Sequence, residues 1–530
     1  MSDRAGGEKH VSIFDTTLRD GAQMEGLTLS ADDKLRIAQK IDELGVQYIE
    51  GGWPGANPKD EEFFARAPDE LRLKHAKLVA FSSTRRANTT PGRDPNLKAL
   101  VAANTPVACI VGKAWDLHVT EALRTTLPEN VKMVRDTMRY LKRHFDEVFF
   151  DAEHFFDGFK RNPDYSMRVL EAAAEGGADV LVLCDTNGGC LPDEVRGIVS
   201  QVRDSLGHPL GIHCHNDTDC AVANTLAGIQ AGAVQAQGAM NGFGERCGNA
   251  NTASIAANLV LKLGIDSITR EQLSRLSEVA HFVSEVSNRT PDAQQPYVGT
   301  SAFAHKGGIH ASAVARRRDL YEHIEPELVG NVRHLVVSEL AGKATIQLKA
   351  QELGVDLDDA RSVPDLIRRV KELEHLGYHF EAADGSFELL LRKATGWEQD
   401  FFSIESFRVI VETDHHGGLS SEATVKLHAK GERTISTAEG NGPVNALDAA
   451  LRKALVTTFP ELERISLADY KVRILNERVG TGATTRVLIE STDGSKEWGT
   501  IGVSENIIEA SWEALIDGYV YGLLHRRAGE

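Results

Sequence analysis

His213 and His215 stand two residues apart in the run HCHND, residues 213–217. In an extended strand alternate side chains leave the same face, so the two imidazoles point together while Cys214 points away. Paired imidazoles suit a divalent cation, and oxygen donors can come from elsewhere in the chain. Asp20 lies in DTTLRDGAQ and Asn249 in NGFGERCGN. One carboxylate, two imidazoles and an amide oxygen form a mixed N/O set. Such a set fits Mg²⁺ or Mn²⁺, with Zn²⁺ a third choice, and leaves positions open for substrate oxygens. No thiolate is needed, which argues against softer metals.

Other groups have the types that catalysis uses. Arg19 precedes Asp20, and a guanidinium there could stabilise negative charge growing on a carbonyl oxygen, or else make a structural ion pair. Glu153 follows Asp151 by two residues, so both carboxyls share one side of a strand. Without cations, such a pair raises one pKa and creates a candidate acid or base, a hydrogen-bonded structural pair being the other reading. Thr186, in LCDTNGG, offers a hydroxyl to a substrate carboxylate, although strand threonines also serve packing. His305 and His310 lie in the glycine-flanked AHKGGIHASAV, and a mobile imidazole can carry protons near neutral pH.

The elements that must position these groups can be read from the spacing of β-rich runs. Between Val11 and about Leu263 there are eight: VSIFDTT, QYIEGG, KLVAFSS, VACIVG, EVFFDAE, DVLVLCDT, LGIHCHN and VQAQGAMN, with amphipathic helical stretches between them. That count and size predict an α/β fold, a (β/α)8 TIM barrel, with a doubly wound open sheet as the alternative. A barrel places its chemistry at the carboxyl ends of the strands. Thr16 to Asp20, Glu50, Glu153 with His154, Asp185 with Thr186, the two histidines and Asn241 to Asn249 all sit there. Closure would also make the first strand a neighbour of the eighth.

Past Leu263 the alternation stops. The expected domains are a catalytic barrel over 1–275, a mostly helical connector over 276–404 carrying the His310 segment, and a C-terminal α+β regulatory and dimerisation domain over 405–530. In the last, FRVIVET and EATVKLHA lead to the helix PVNALDAALRKAL; YKVRILN, TRVLIEST and EWGTIGVS then lead to NIIEASWEALIDGYVYGLL. Two successive units of strands followed by a helix predict internal pseudo-symmetry.

Bulk properties exclude other classes. A formal net charge of -18 over 530 residues speaks against a nucleic-acid partner. No apolar run approaches the ~18 residues of a membrane span, and the polar start MSDRAGGEKH has no apolar segment of a secretory signal, so a cytoplasmic location is expected. Six cysteines without a C-x-x-C pair fit reduced thiols. FGERCGNANTASI is glycine-rich at a helix start but lacks the phosphate-loop lysine. Arg316, Arg317 and Arg318 form the densest basic run, which reads as a solvated helix face or a contact for a bulky anionic substrate.

At DTTLRDGAQ, HCHND and NGFGERCGN the chain resembles the family of 2-isopropylmalate, citramalate and homocitrate synthases, whose barrel is shared with hydroxymethylglutaryl-CoA lyase. GIHASAV and GNGPVNALDAAL are similar to that family's connector and regulatory domain, so the likeness covers almost the whole chain. IEGGWPGANPKDEEFF, DAEHFFDGFK and AHKGGIHASAV most resemble the citramalate branch. The resemblance implies a Claisen-type condensation of acetyl-CoA with pyruvate in isoleucine biosynthesis, the alternative being a synthase acting on a larger 2-oxo acid. It implies Asp20, His213 and His215 as metal ligands with Asn249 as a further one. It implies Arg19 polarising the keto oxygen, Glu153 as a catalytic carboxylate and Thr186 binding the 2-oxo acid. His310 would be the base that takes the acetyl methyl proton, with Tyr321 in support, both reaching a partner subunit in a homodimer, and isoleucine would be the allosteric effector. One departure from the pattern follows His310, where Ala311, Ser312 and Ala313 replace the family's frequent Gln-Asp-Gly.

Overall fold

The computed structural model describes residues 10–306, 310, 313–314, 316–335, 343–355, 357, 362–413, 418–475 and 482–527. The chain divides into two compact units, Met1–Phe303 with Ile324–Arg333, and Ala304–His323 with His334–Glu530.

All eight expected strands form in the first unit: β1 (Ser12–Asp15), β2 (Tyr48–Gly52), β3 (Lys77–Ser83), β4 (Val107–Lys113), β5 (Glu147–Glu153), β6 (Val180–Asp185), β7 (Leu210–Cys214) and β8 (Gln235–Gly238). They are parallel and in sequence order, and β8 returns to pair with β1, Asp15 opposite Gly238, so the sheet is a closed barrel. Closure eliminates the doubly wound alternative.

Local sequence explains where the helices between the strands begin. Ser30 and Asp33 form a reciprocal capping box at the helix Ala31–Asp42. Asn57, Asp94 and Asn162 each accept a backbone N–H at the start of a helix whose first residue is proline; proline is tolerated there because that N–H would have no helical partner.

The barrel interior is layered. Phe14, Val79, Phe81, Val107, Cys109 and Phe149 pack as one buried cluster with Tyr48 against it. Tyr48 meets Phe149 edge-on at 5.0 Å between ring centroids, and its hydroxyl donates to Glu147 at 2.7 Å. Two residues further along the strands the inward positions turn polar: Glu50 follows Tyr48, Asp151 follows Phe149, and His213 follows Gly211. The apolar layer thus forms a floor beneath a polar mouth.

In the second unit, strands β9 (Ala304–His305) and β10 (His334–Leu335) make a short parallel pair. The helices Lys343–Glu352, Ser362–Leu376 and Asp384–Ala394 bury Ile346, Val370, Phe387 and Leu391 in a shared core. The expected repeat follows. Strands β11 (Phe402–Thr413), β12 (Leu419–Ala429) and β13 (Glu432–Gly440) form an antiparallel sheet before the helix Pro443–Leu455. Strands β14 (Ser466–Ile474), β15 (Thr485–Thr492) and β16 (Glu497–Ser504) form another before the helix Ile507–Arg527. Among the described residues, no helix is long and apolar enough to cross a membrane.

Phe149 anchors the apolar floor, so Phe149→Ala should cost the barrel about 3–5 kcal/mol of stability, measured by urea denaturation. A loss under ~1 kcal/mol would show that the interior is not packed as described.

Candidate metal and catalytic site

The mouth is assembled by the turn that follows β1. The N–H groups of Arg19 and Gly21 both return to the Thr16 carbonyl, at 3.2 and 2.9 Å. This tight turn leaves Arg19 and Asp20 at the barrel opening. Asp20 Oδ2 lies 3.4 Å from His213 Nε2 and 3.8 Å from His215 Nε2. One potential ligand atom from each of the three residues lies within 4.8 Å of the others, and all three side chains are buried. A single cation can be reached by all of them.

Charge and burial favour that use. Burial alone would push the Asp20 carboxyl up, but Arg19, then His213 and His215, hold it below the ordinary value. Burial pushes His213 down to about 4 and lowers His215 as well. Both imidazoles are therefore neutral at physiological pH, the form that ligates metals. Asn249 stands beside His215 through a backbone bridge, and its side-chain N–H donates to the Phe243 carbonyl at 3.0 Å. Its amide oxygen is buried and has no donor among the described residues, which fits a role as an oxygen ligand. The loop around it requires glycine. Gly244 and Gly248 have φ of 155° and 90°, and a Cβ would strike the Asn249 side chain in one case and the Gly242 carbonyl in the other.

Arg19 is held from below. Its Nε donates to Glu50 Oε2 at 2.7 Å, Thr16 donates to the same oxygen at 2.6 Å, and the guanidinium carbon lies 3.8 Å over the Phe81 ring. Burial alone would favour loss of its proton, but Glu50, Asp20 and Asp151 more than offset this, so it stays charged. Its Nη1 is 3.5 Å from Asp20 Oδ2. The arginine faces the candidate cation site and is also a structural ion pair, so the two readings of the sequence coincide.

Asp151, inward on β5, has a raised pKa, about 7, because of burial and the nearby Glu50. Glu153 pairs with Lys113, which closes β4 directly opposite it. Thr186 Oγ1 accepts the His154 N–H at 2.9 Å, and Arg246 ties the β8 loop to Asp217 and to the Thr186 carbonyl at 2.7 Å. His310 and Tyr321 belong to the second unit, where their exposed rings stack at 4.3 Å. In the same unit His305 pairs with Glu322 at 3.1 Å, and Arg317 pairs with Asp319. Residues 307–309, 311–312 and 315 lie outside the described residues. All six cysteines are free.

The structure therefore gathers Arg19, Asp20, His213, His215 and Asn249 in one mouth, with Glu153 and Thr186 at the ends of β5 and β6. Sequence reasoning missed Lys113, Arg246 and Gln237, and did not recognise Glu50 as the partner of Arg19. The two-residue inward alternation that singles out Asp151 and Glu153 also runs through Gln235 and Gln237 and could have found them.

A family profile described as HMGL-like matches residues 10–283, one described as a homocitrate synthase post-HMGL domain matches 297–377, and one described as the LeuA allosteric (dimerisation) domain matches 381–523. The chain is 54% identical over 517 residues to (R)-citramalate synthase of Aquifex aeolicus, covering 97% of this chain and 98% of that protein. It is 55% identical over 519 residues to (R)-citramalate synthase of Streptomyces coelicolor, with 98% and 97% covered. A probable 2-isopropylmalate synthase of Methanopyrus kandleri is 31% identical over 519 residues, with 98% and 99% covered.

The Asp151 carboxyl has a definite linkage to pH. Its pKa rises from 3.8 to about 7 on folding, so the folded state holds this proton more tightly. Its contribution to stability is complete below the unfolded value and is lost as pH climbs towards 7. Between pH 5 and 7 the wild type should lose stability relative to Asp151→Asn by up to about 1.4 kcal/mol per pH unit. Parallel denaturation curves for the two proteins across that window would refute the assignment.

Proposed function

Because this chain belongs to the citramalate synthase family, with an HMGL-like barrel and a LeuA-type C-terminal domain, we propose that it condenses acetyl-CoA with pyruvate to give citramalate and free CoA, in the service of isoleucine synthesis. The observation that carries this reading is the approach of Asp20, His213 and His215 within 4.8 Å, beside an arginine locked by Glu50.

Asp20, His213, His215 and Asn249 would hold a divalent cation, Mg²⁺ or Mn²⁺ before Zn²⁺. When bound, it supplies Lewis acidity to the oxygens of a 2-oxo acid. Arg19 keeps its charge and points Nη1 into the same mouth, where it stabilises negative charge as it grows on the keto oxygen. Its guanidinium is held by Glu50 and by stacking on Phe81, so little reorganisation is needed as that charge appears. Thr186 already accepts a backbone N–H, which leaves its own proton for the substrate carboxylate. Glu153 stands at the rim as the catalytic carboxylate, with Lys113 holding it in place. In a homodimer His310, stacked on Tyr321, reaches the mouth of a partner subunit and takes a proton from the acetyl methyl group bound there. The methyl carbon then bonds to the keto carbon as the C=O π bond breaks, the alkoxide beside Arg19 takes a proton, and water cleaves the thioester to release CoA. The LeuA-type domain accounts for a homodimer, with isoleucine as the proposed effector.

The test is CoA release in a thiol assay with acetyl-CoA and a divalent metal. Pyruvate should support turnover and 2-oxoisovalerate should be poorer by roughly 10-fold or more, the scale on which added methylene bulk is discriminated. Equal rates would overturn the choice of pyruvate and favour a synthase of broader or larger-substrate specificity. In the same assay Arg19→Lys should lower kcat by about 100-fold or more, and His215→Ala should abolish metal-dependent turnover while circular dichroism stays native. Near wild-type rates in either variant would remove that residue from the mechanism.

A further inference from the structure

Gln237 is fully buried inside the barrel on β8, in register beside His213 on β7. Its side chain bridges Asp151 and His213. Gln237 Nε2 donates to Asp151 Oδ1 at 3.0 Å, and Gln237 Oε1 lies 3.0 Å from His213 Nδ1. A primary amide has a donor end and an acceptor end, so fixing one fixes the other. Above about pH 7, where Asp151 is ionised and can only accept, its Oδ1 takes the donor end, and the acceptor end must then face the imidazole. Two acceptors cannot face each other at that distance, so the hydrogen of neutral His213 is on Nδ1. Nε2 keeps its lone pair, on the side where Asp20 Oδ2 stands 3.4 Å away.

His215 differs. Its Nδ1 is buried and has no partner among the described residues, so nothing comparable selects its tautomer. The two histidines of HCHND are thus prepared unequally.

We infer that Gln237 is a positioning residue, anchored by Asp151, that fixes the Nδ1–H tautomer of His213 and presets Nε2 as a donor before any cation arrives, whereas His215 is set only when the cation binds. The inference rests on the metal reading of the site for its purpose, but not for its geometry. A ligand imidazole is commonly oriented through the hydrogen bond made by its other nitrogen. In this chain that partner is an amide, so the acceptor stays neutral and the anchoring carboxyl is one residue removed from the ligand.

The experiment is nitrogen-15 NMR of metal-free protein labelled at histidine, near pH 8, with the His213 signals identified by their absence from His213→Asn. The wild type should show His213 as the Nδ1–H tautomer. Gln237→Leu should turn it into a mixture, and Gln237→Glu, whose carboxylate accepts from Nδ1 while Asp151 holds a proton and donates to it, should restore the single tautomer. Titration with Mn²⁺ should show about 10- to 100-fold weaker binding in Gln237→Leu, with recovery in Gln237→Glu. A wild-type His213 carrying its hydrogen on Nε2 overturns the inference without recourse to any variant, as does an unchanged tautomer in Gln237→Leu. Should the tautomers behave as expected while Mn²⁺ binds none of the proteins, the positioning role stands and the metal reading fails.

Discussion

Barrel closure is the constraint on which the rest depends. Hydrogen bonds from β8 to β1 bring the turn that carries Asp20 against the strand that carries His213, so residues from the two ends of the barrel sequence meet at 3.4 Å. An open sheet with the same strands would leave the carboxylate at one edge and the imidazoles near the other. The apolar floor of Phe14, Tyr48 and Phe149 supports the arrangement by filling the barrel below the polar layer, which confines the mouth to one end.

Burial then sorts the charges within that mouth. Arg19 is shared among Glu50, Asp20 and Asp151. A guanidinium divided among three acidic groups is an unfavourable balance at low dielectric. The structure relieves it in two ways. Asp151, buried beside Glu50, moves up to about 7 and holds its proton over most of the acidic range. Asp20, close to the guanidinium and the imidazoles, moves down and stays ionised. What remains is an ionised carboxylate beside two neutral imidazoles, a donor set that a divalent cation completes. The same electrostatics that sorts the charges in the mouth prepares it for a positive charge.

Much of this was legible in the sequence because it follows from local periodicity. The eight β-rich runs became the eight strands, and inward alternation correctly paired Asp151 with Glu153 and His213 with His215. Closure was legible only indirectly, since β1 and β8 carry no local mark of each other; the count of eight strands and the position of the polar groups at their ends pointed to it. Lys113 escaped notice because the β-rich run VACIVG ends just before it, although register places it opposite Glu153. Gln237 escaped for a different reason: the alternation places it inward, but an amide carries no charge to mark it as a link between two buried groups. In the second unit the order of strands and helices was visible, whereas the antiparallel pairings that make two separate sheets are long-range and had to be observed.

The central claim is that closure creates one cation site from Asp20, His213 and His215. Its most direct test is anomalous diffraction from crystals of the protein grown with Mn²⁺. The account predicts a single strong peak in the barrel mouth, about 2.0–2.3 Å from Asp20 Oδ2 and from Nε2 of both histidines. A peak bound elsewhere, or an ordered mouth with no peak while Mn²⁺ saturates the protein in solution, would contradict it.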